Sequence, residues 1–197
     1  KEYDKVLADL TEANDIDPSS YEVIYRKANA EYMLEDYENA KRDYQRLLGM
    51  NNRSVEALIG LSRIAVIEKN LGQANEYADN AVAIAPSEAE VYIRRASIRK
   101  MMGNNTGAVD DLILALSTGK SNTKALQELV DMSNNDYNAV ITGLSNAIRQ
   151  APKVGMYYYI RGIIASAHFN YVTALADFKK IIHENLYNYA LSINYFI

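Results

Sequence analysis

The sequence predicts an all-α protein in which a pair of helices repeats along the chain. Small or apolar residues recur at a constant interval of about 34 residues in three sets: Ala40, Ala74 and Ala108; Leu47, Ala81 and Ala115; and Ala28, Ser62 and Ala96. Self-similarity at a fixed period of this length is the signature of stacked structural repeats. We therefore expect an α-solenoid.

Each unit is predicted to fold as two helices joined by a short turn. In the first complete unit we expect helices over 21–34 and 37–49, separated by a break at 35–36. Small and apolar residues of the second helix have helical spacing: Tyr37, Ala40, Tyr44, Leu47 and Leu48. Ala28 and Ala40 are expected to meet where the two helices cross, because only short side chains let two helix axes approach closely.

The repeat divides residues 1–188 into one array. The first segment is a partial repeat that has only a second helix, and the fifth is degenerate. The segments are 1–20, 21–54, 55–88, 89–120, 121–154 and 155–188, and residues 189–197 are expected to form a capping or truncated helix.

The degenerate segment departs from the pattern in two ways. Ala115 and Ala147 hold equivalent places in successive units, but they lie closer together than the repeat period requires. Polar residues also replace the apolar or small residues of its first helix: Lys124, Gln127 and Glu128. We expect an irregular junction over 118–136, with Asn134-Asn135 in the turn.

Composition excludes several classes of function. Of the 197 residues, 49% are hydrophobic, which is too many for a disordered chain, and none is cysteine. Disulfides, cysteine-ligated zinc, iron–sulfur clusters and thiol catalysis are excluded. The net charge of -4 provides no long-range attraction to nucleic acid. No apolar run approaches the roughly 20 residues of a spanning helix, so we expect no direct membrane insertion.

The sequence contains little that resembles a catalytic or cofactor-binding motif. The two histidines, His168 and His183, are expected on different helices of the last unit, as surface or groove residues rather than metal ligands. The segment 118–121 (Thr-Gly-Lys-Ser) ends like a phosphate-binding loop, but Leu114 stands where that motif has its first glycine, and no predicted strand precedes it. We expect an inter-helix loop there, and no metal, cofactor or enzymatic activity.

The small and aromatic residues of the units resemble those of the tetratricopeptide repeat (TPR) family. The first complete unit shows the pattern, with Asn52 in place of the usual proline: Ala28, Tyr37, Ala40, Tyr44, Leu47 and Asn52. Matches of this kind extend over nearly the whole chain. The resemblance implies a right-handed superhelix of stacked antiparallel helix pairs, and a role as a non-catalytic scaffold for protein–protein interaction.

In that family, certain first-helix positions line a concave groove. Carried over by position, they give these candidates for partner binding: Glu22, Tyr25, Arg26, Asn29 and Tyr32 in the first complete unit, Glu56, Ile59 and Arg63 in the next, Glu90 and Arg94 in the third, and Tyr159 in the last. Tyrosine, arginine and aliphatic side chains suit an extended peptide or a partner helix.

Two interpretations of the acidic residues in this set remain open. Glu22, Glu56 and Glu90 recur with the repeat period and could form a stripe that recognises a basic segment. Alternatively, each favours the dipole of its own helix, and Glu22–Arg26 and Glu90–Arg94 are local i,i+4 pairs. A clamp on acidic chaperone tails, known in the family, is disfavoured, since Glu90 reverses the charge it needs.

A second role remains open for the whole chain. It would be the TPR region of a larger protein, where it positions an enzyme or a membrane- or envelope-associated assembly. The Asn- and Tyr-rich, cysteine-free composition resembles bacterial exported or envelope-associated repeat proteins, which points to the periplasm or cell envelope. The apolar end, Tyr195–Ile197, could provide an oligomer contact.

Overall fold

A computed structural model describes residues 2–118 and 123–186. Over these ranges the chain forms eleven α-helices and no strand. It divides into two compact units, Lys1–Met102 and Gly103–Ile197. The first contains α1 (Glu2–Ile16), α2 (Tyr21–Met33), α3 (Tyr37–Met50), α4 (Val55–Ile67), α5 (Leu71–Ile84) and α6 (Ala89–Met101). The second contains α7 (Asn105–Ser117), α8 (Thr123–Asn135), α9 (Tyr137–Gln150), α10 (Gly155–Ala167) and α11 (Tyr171–His183).

Helix pairs build both units, which confirms the predicted all-α repeat. In the first unit α2 packs on α3 and α4 on α5, while α1 contacts α2 and α6 contacts α5. In the second, α8 packs on α9 and α10 on α11, and α7 contacts both α8 and α9. The helices predicted over 21–34 and 37–49 are confirmed to within one residue at each end.

The core of the first complete pair lies where the sequence predicted it. Ala28 and Ala40 are fully buried in one cluster with Ile24, Tyr44 and Leu47. Other pairs bury small residues at the matching places: Ser62 and Ala74 in α4–α5, and Gly162 and Ala174 in α10–α11. Since an interior is close-packed, these short side chains set how near the helices of a pair approach.

The turns inside α2–α3, α4–α5 and α10–α11 share one design with the connection that follows α6. The first helix is followed by a residue in the left-handed region, with φ between 61° and 78° at Glu35, Lys69, Gly103 and Phe169. The next residue is an Asp or Asn that caps the second helix, its side chain accepting a hydrogen bond from the backbone three residues on: Asp36, Asn70, Asn104 and Asn170. Helix ends of this kind satisfy backbone groups that a helix leaves unpaired.

The turn between α8 and α9 differs, and one prediction there is wrong. Asn134 and Asn135 are not in the turn but form the end of α8. Only Asp136 separates the two helices; its N–H donates to the Met132 carbonyl at 2.9 Å, and its carboxylate accepts from Ala139 N–H at 3.0 Å. The shorter interval between Ala115 and Ala147 therefore results from the absence of the left-handed turn between α8 and α9, rather than from an irregular junction.

This shortened turn also explains the polar residues of the degenerate segment. Helix α8 buries Ala125, Leu129, Met132 and Ser133. Lys124 and Gln127 are exposed, and Glu128 is half-buried, so the apolar face lies one residue later than a count back from α9 over a turn of the usual length predicts. Residues 119–122, which include most of the loop that ends like a phosphate-binding motif, lie outside the described residues, as does the predicted capping segment 189–197.

An ion-pair cluster joins α2 to α3. Lys27 Nζ lies 2.5 Å from Glu31 Oε1 and 2.7 Å from Asp43 Oδ2. In the second unit, Arg161 makes a two-point contact with Asp177, at 2.6 and 2.8 Å. In both pairs a base on the first helix meets an aspartate on the second, and both aspartates are at least nine-tenths buried. Such contacts fix the register of two helices, because a buried charge without its partner is costly.

Burial shifts proton affinities within the Lys27 cluster. It raises the pKa of Glu31 above its ordinary value, and the pair with Lys27 offsets this only in part. For Lys27, burial acts to lower the pKa, but hydrogen bonds to Asp43 and Glu31 outweigh it and raise the pKa. The folded protein therefore binds the Glu31 proton more tightly than the unfolded chain does.

The Glu31 shift predicts a pH dependence of stability. A carboxyl group with a raised native pKa contributes stability below its unfolded pKa of about 4.5, and this contribution is lost as pH rises through the native value. We expect Glu31→Gln to become more stable relative to wild type as pH rises from about 4 to 7, in urea unfolding. The control Gln45→Ala, at an exposed position of α3, changes no titratable group and should run parallel to wild type. Parallel curves for Glu31→Gln as well would contradict this account.

A second stability prediction concerns Gly60 in α4. A Cβ atom added there would lie 2.5 Å from Cζ of Tyr44, a ring that is itself 1% exposed. We expect Gly60→Ala to destabilise the protein by about 1–3 kcal/mol in denaturant unfolding, because the buried ring must shift. The control is Gly49→Ala in α3, where an added Cβ meets nothing within 4 Å. It should gain about 0.5–1 kcal/mol, and equal midpoints for the two variants would refute the packing argument.

Candidate functional site

A pocket of about 180 Å³ lies along the first helices of the first unit. Helices α2, α4 and α6 contribute to it, together with one side chain of α3. Its lining is Tyr25, Asn29, Tyr44, Glu56, Ile59, Gly60, Arg63 and Glu90. Six of the eleven residues predicted from the sequence thus lie around one pocket, because the repeat period brings equivalent first-helix positions to the same side.

Asn29 is held in place by a short hydrogen-bond chain. The Tyr44 hydroxyl donates to Asn29 Oδ1 at 2.9 Å, and Asn29 Nδ2 donates to the carbonyl oxygen of Tyr25 at 2.9 Å. Burial raises the pKa of Tyr44 well above its ordinary value, although the charge of Arg63 acts in the opposite direction. The phenol therefore stays protonated and continues to donate.

Arg63 differs from the other bases around it. Its side chain is half-buried, its Nε is buried, and it makes no hydrogen bond or ion pair with any residue that the structure describes. Glu56, on the same helix, is exposed and accepts a 3.4 Å hydrogen bond from Ser54 Oγ. Because a buried donor without a partner is unfavourable, Arg63 is well placed to donate to a ligand.

The acidic residues of the predicted stripe are all exposed, but they do not share one environment. Glu22 forms an ion pair with Arg26 at 2.5 Å, and both side chains are about two-thirds exposed. This is the local i,i+4 pairing that the sequence suggested. Glu56 and Glu90 instead line the pocket beside Arg63.

A wider groove of about 700 Å³ lies between α1 and α2. Tyr25 and Asn29 line both this groove and the pocket, so the two are contiguous across α2. Its lining is Val6, Asp9, Leu10, Glu22, Tyr25, Arg26, Asn29, Ala30 and Met33. First helices therefore provide most of the residues that line the pocket and the groove.

Three predicted residues lie outside both cavities. Tyr32 packs edge-on against Tyr37, with ring centroids 5.6 Å apart. Arg94 is half-buried on α6. Tyr159 belongs to the second unit, where its ring centroid lies 6.4 Å from that of Phe178 on α11.

The histidines do not form a metal site with each other. His168 contacts the Tyr137 ring at 4.8 Å between centroids, and its Nε2 lies 3.2 Å from Ser133 Oγ. His183 is exposed in the last turn of α11. Over residues 2–118 and 123–186, no group of three or more metal-ligating side chains comes together.

One residue of the pocket, Tyr44, was missed as a site residue. The sequence placed Tyr44 in the core of the second helix, and its ring is indeed buried, but its hydroxyl orients Asn29 and its edge reaches the pocket. Gly60 leaves room for that ring. The sequence does contain a signal for this contact. Tyr44 is a bulky residue of a second helix, and Gly60 stands at a groove position of the first helix that follows it.

No protein-family model matches the chain, and no curated protein does. Solved structures do match the chain. One is TTC0263, a thermophilic TPR protein of Thermus thermophilus, with 21% identity, coverage of 85% of this chain and 91% of that one, and a TM-score of 0.61. Together with the helix pairs, this decides the fold. The chain has the tetratricopeptide repeat fold.

Other TPR structures agree. A TPR protein of Parabacteroides merdae ATCC 43184 is 15% identical, with 94% of this chain and 76% of that one covered and a TM-score of 0.59. YrrB, described as a TPR protein with an unusual peptide-binding site, is 16% identical, with 94% and 96% covered and a TM-score of 0.56. At these identities the likeness shows the shared TPR fold.

No helix among the described residues combines the length and the apolar character needed to cross a membrane.

The hydrogen-bond chain at Asn29 yields a prediction. Tyr44→Phe removes the donor to Asn29 while it keeps the buried ring, so we expect a loss of about 1 kcal/mol in the free energy of unfolding. Tyr32→Phe is the matched control, since the Tyr32 hydroxyl has no hydrogen-bond partner within the described residues, and it should be neutral. Thermal and urea unfolding measure both variants, and an equal loss in both would argue against the chain.

Proposed function

We propose that the protein is a non-catalytic scaffold that binds an extended peptide or a partner helix along the groove of its first helices. The observation that carries this proposal is Arg63, a half-buried base with no partner in the described structure, which lines a pocket together with Tyr25, Asn29, Glu56 and Ile59. The peptide-binding site named for YrrB, whose fold is similar, supports it as an analogy.

The lining indicates the chemistry of the ligand. Arg63 donates to a carbonyl or carboxylate oxygen of the bound segment, and the fixed amide of Asn29 lies beside it. Exposed Glu56 and Glu90 favour a basic side chain in the same segment, while Tyr25 and Ile59 provide apolar contact. The pocket is smaller than the roughly 300–1,000 Å³ of typical small-molecule sites, so it suits one anchoring side chain of a peptide.

The second role, as the TPR region of a larger protein that positions an enzyme or an envelope-associated assembly, has one supporting observation. Helix α11 and the turn before it expose Phe169, Val172 and Leu175 at 79%, 84% and 56%. Apolar exposure on this scale often marks a contact with another surface. The envelope location stays a prediction from composition, and the oligomer contact at Tyr195–Ile197 lies outside the described residues.

A displayed library of random peptides, selected on the purified protein, tests the groove. We expect enriched sequences that combine a basic residue with an apolar anchor. Calorimetry should then show binding at least about tenfold weaker with Arg63→Ala or Tyr25→Ala, since each removes a large side chain that lines the pocket.

Arg42→Ala is the control for this experiment, because Arg42 is an exposed arginine on α3 that lines neither cavity. It should bind the selected peptides within about twofold of wild type. Peptides that bind the Arg63 and Tyr25 variants as tightly as wild type would place the site elsewhere, and a library without enrichment would count against peptide binding.

A further inference from the structure

The last turn of each first helix in the first unit presents an apolar side chain to solvent. Met33, Ile67 and Met101 stand one repeat period apart, and each is the final residue of its helix. Their exposed fractions are 54%, 41% and 55%. Single exposed apolar residues are common, but three at the same place in successive stacked helices form one row, which we call the apolar row.

The apolar row lies on the groove side of the unit. Met33 lines the wide groove together with Tyr25 and Asn29, and the repeat period places Ile67 and Met101 on the same side of α4 and α6. Helix α4 contacts a first helix on each side, α2 and α6, and Ile67 is exposed all the same. The exposure of the row therefore does not depend on where the helix array begins.

The acidic stripe follows the opposite margin of the same face. Glu22, Glu56 and Glu90 hold the second place of α2, α4 and α6, whereas the apolar row holds the last. At about 1.5 Å of rise per residue, roughly 16 Å separate the two rows. Glu56 and Glu90 are exposed beside the pocket, while Glu22 already pairs with Arg26. A ligand across these helices thus meets carboxylates along one margin and apolar side chains along the other.

The separation of the two rows favours a helical ligand over an extended one. An α-helix is about 10–12 Å across with its side chains, and a lysine or arginine at its margin reaches further towards a carboxylate. Neighbouring strands lie only about 4.8 Å apart, so an extended segment covers one row at a time. Residues seven apart on a helix are about 10.5 Å apart, close to the roughly 8–10 Å between packed helices. A helix across α2, α4 and α6 can therefore place an equivalent residue over each.

We propose that the groove binds a basic amphipathic α-helix of a partner protein, which lies across α2, α4 and α6. Every seventh residue of this helix is apolar and packs on the apolar row, and neighbouring lysine or arginine residues reach Glu56 and Glu90. Methionine suits such a contact, because its unbranched, polarizable side chain adapts to the surface it meets. The inference rests on the proposed function and specifies its ligand.

The charge of the ligand assigns it to a partner rather than to the rest of this sequence. Outside the described ranges, the longest segment is 187–197, and it contains no lysine or arginine that could pair with the acidic stripe.

The test uses a synthetic helix with this pattern. The probe is a peptide of alanine and glutamine, about 18 residues long so that it is helical in isolation, in which leucine followed by lysine recurs every seven residues. It is titrated into the full chain with isotope-labelled methionine methyl groups. The NMR signals of Met33 and Met101 should shift, with a Kd below about 1 mM. The signal of Met50, which is 45% exposed at the end of α3, should stay in place.

Matched variants examine the apolar row and the helical form of the ligand. Ile67→Lys should weaken binding at least about tenfold, because it places a base in the row against a basic peptide. Met50→Lys adds the same charge at an apolar residue of similar exposure that lines neither cavity, and it should stay within about twofold of wild type. A probe with glutamate as its middle leucine should recover affinity for Ile67→Lys. Proline at a central alanine should weaken the probe at least about tenfold, because it breaks the helix.

Three results would overturn the proposal: no shift at Met33 and Met101, an equal loss with Ile67→Lys and Met50→Lys, or unchanged binding of the proline probe, which would indicate an extended ligand. In each case, library peptides whose binding depends on Arg63 would leave the proposed function standing. A library without enrichment, together with a probe that does not bind, would count against both.

The identity of the occupant is tested with the protein expressed from its complete native reading frame. The signals of Met33 and Met101 should match those of the free chain and shift only when the probe is added. Signals already shifted at every protein concentration would show that another segment of the same polypeptide covers the row. Shifts that grow with concentration would show that a second copy does. Either result would overturn the assignment to a partner protein.

Discussion

The close crossing of two helices within each pair is the constraint on which the rest of this structure depends. Ala28 and Ala40 are both fully buried, and Gly162 and Ala174 hold the matching places in α10–α11. Packed helices lie about 8–10 Å apart, and short side chains allow the lower end of that range. Short residues hold the matching places in α2–α3, α4–α5 and α10–α11, and this repeated spacing aligns the first helices of the first unit along one groove.

Much of the architecture was therefore predictable from the sequence. A small residue at the same place in most repeats located the helix pairs, and the predicted boundaries over 21–49 were confirmed to within one residue. The prediction failed at α8, because it assumed a constant turn length: with the turn reduced to Asp136, the buried residues become Ala125 and Leu129. A periodic pattern specifies which residues face the core only while the length of each connection stays the same.

The site was partly predictable for the same reason. Groove positions follow the period, so Asn29 and Arg63 were expected on the same side and do line one pocket. Spacing along one helix predicts a partner on that helix, but it does not reveal whether a neighbouring helix provides one. Arg26 has an acidic partner one helical turn away, whereas Arg63 has none in the described structure. The Lys27–Asp43 and Arg161–Asp177 pairs were missed, although both span the same interval.

The single-residue connection at Asp136 bears on how such chains change in length during evolution. The residues missing there are those of the left-handed turn, while α9 keeps its aspartate cap and the connection from α9 to α10 has the same length as those between pairs of the first unit. The difference in length is confined to one helix pair, and the following pair resumes the usual spacing. Turns within pairs can therefore absorb insertions and deletions locally, which lets individual repeats drift in length while their neighbours keep their packing.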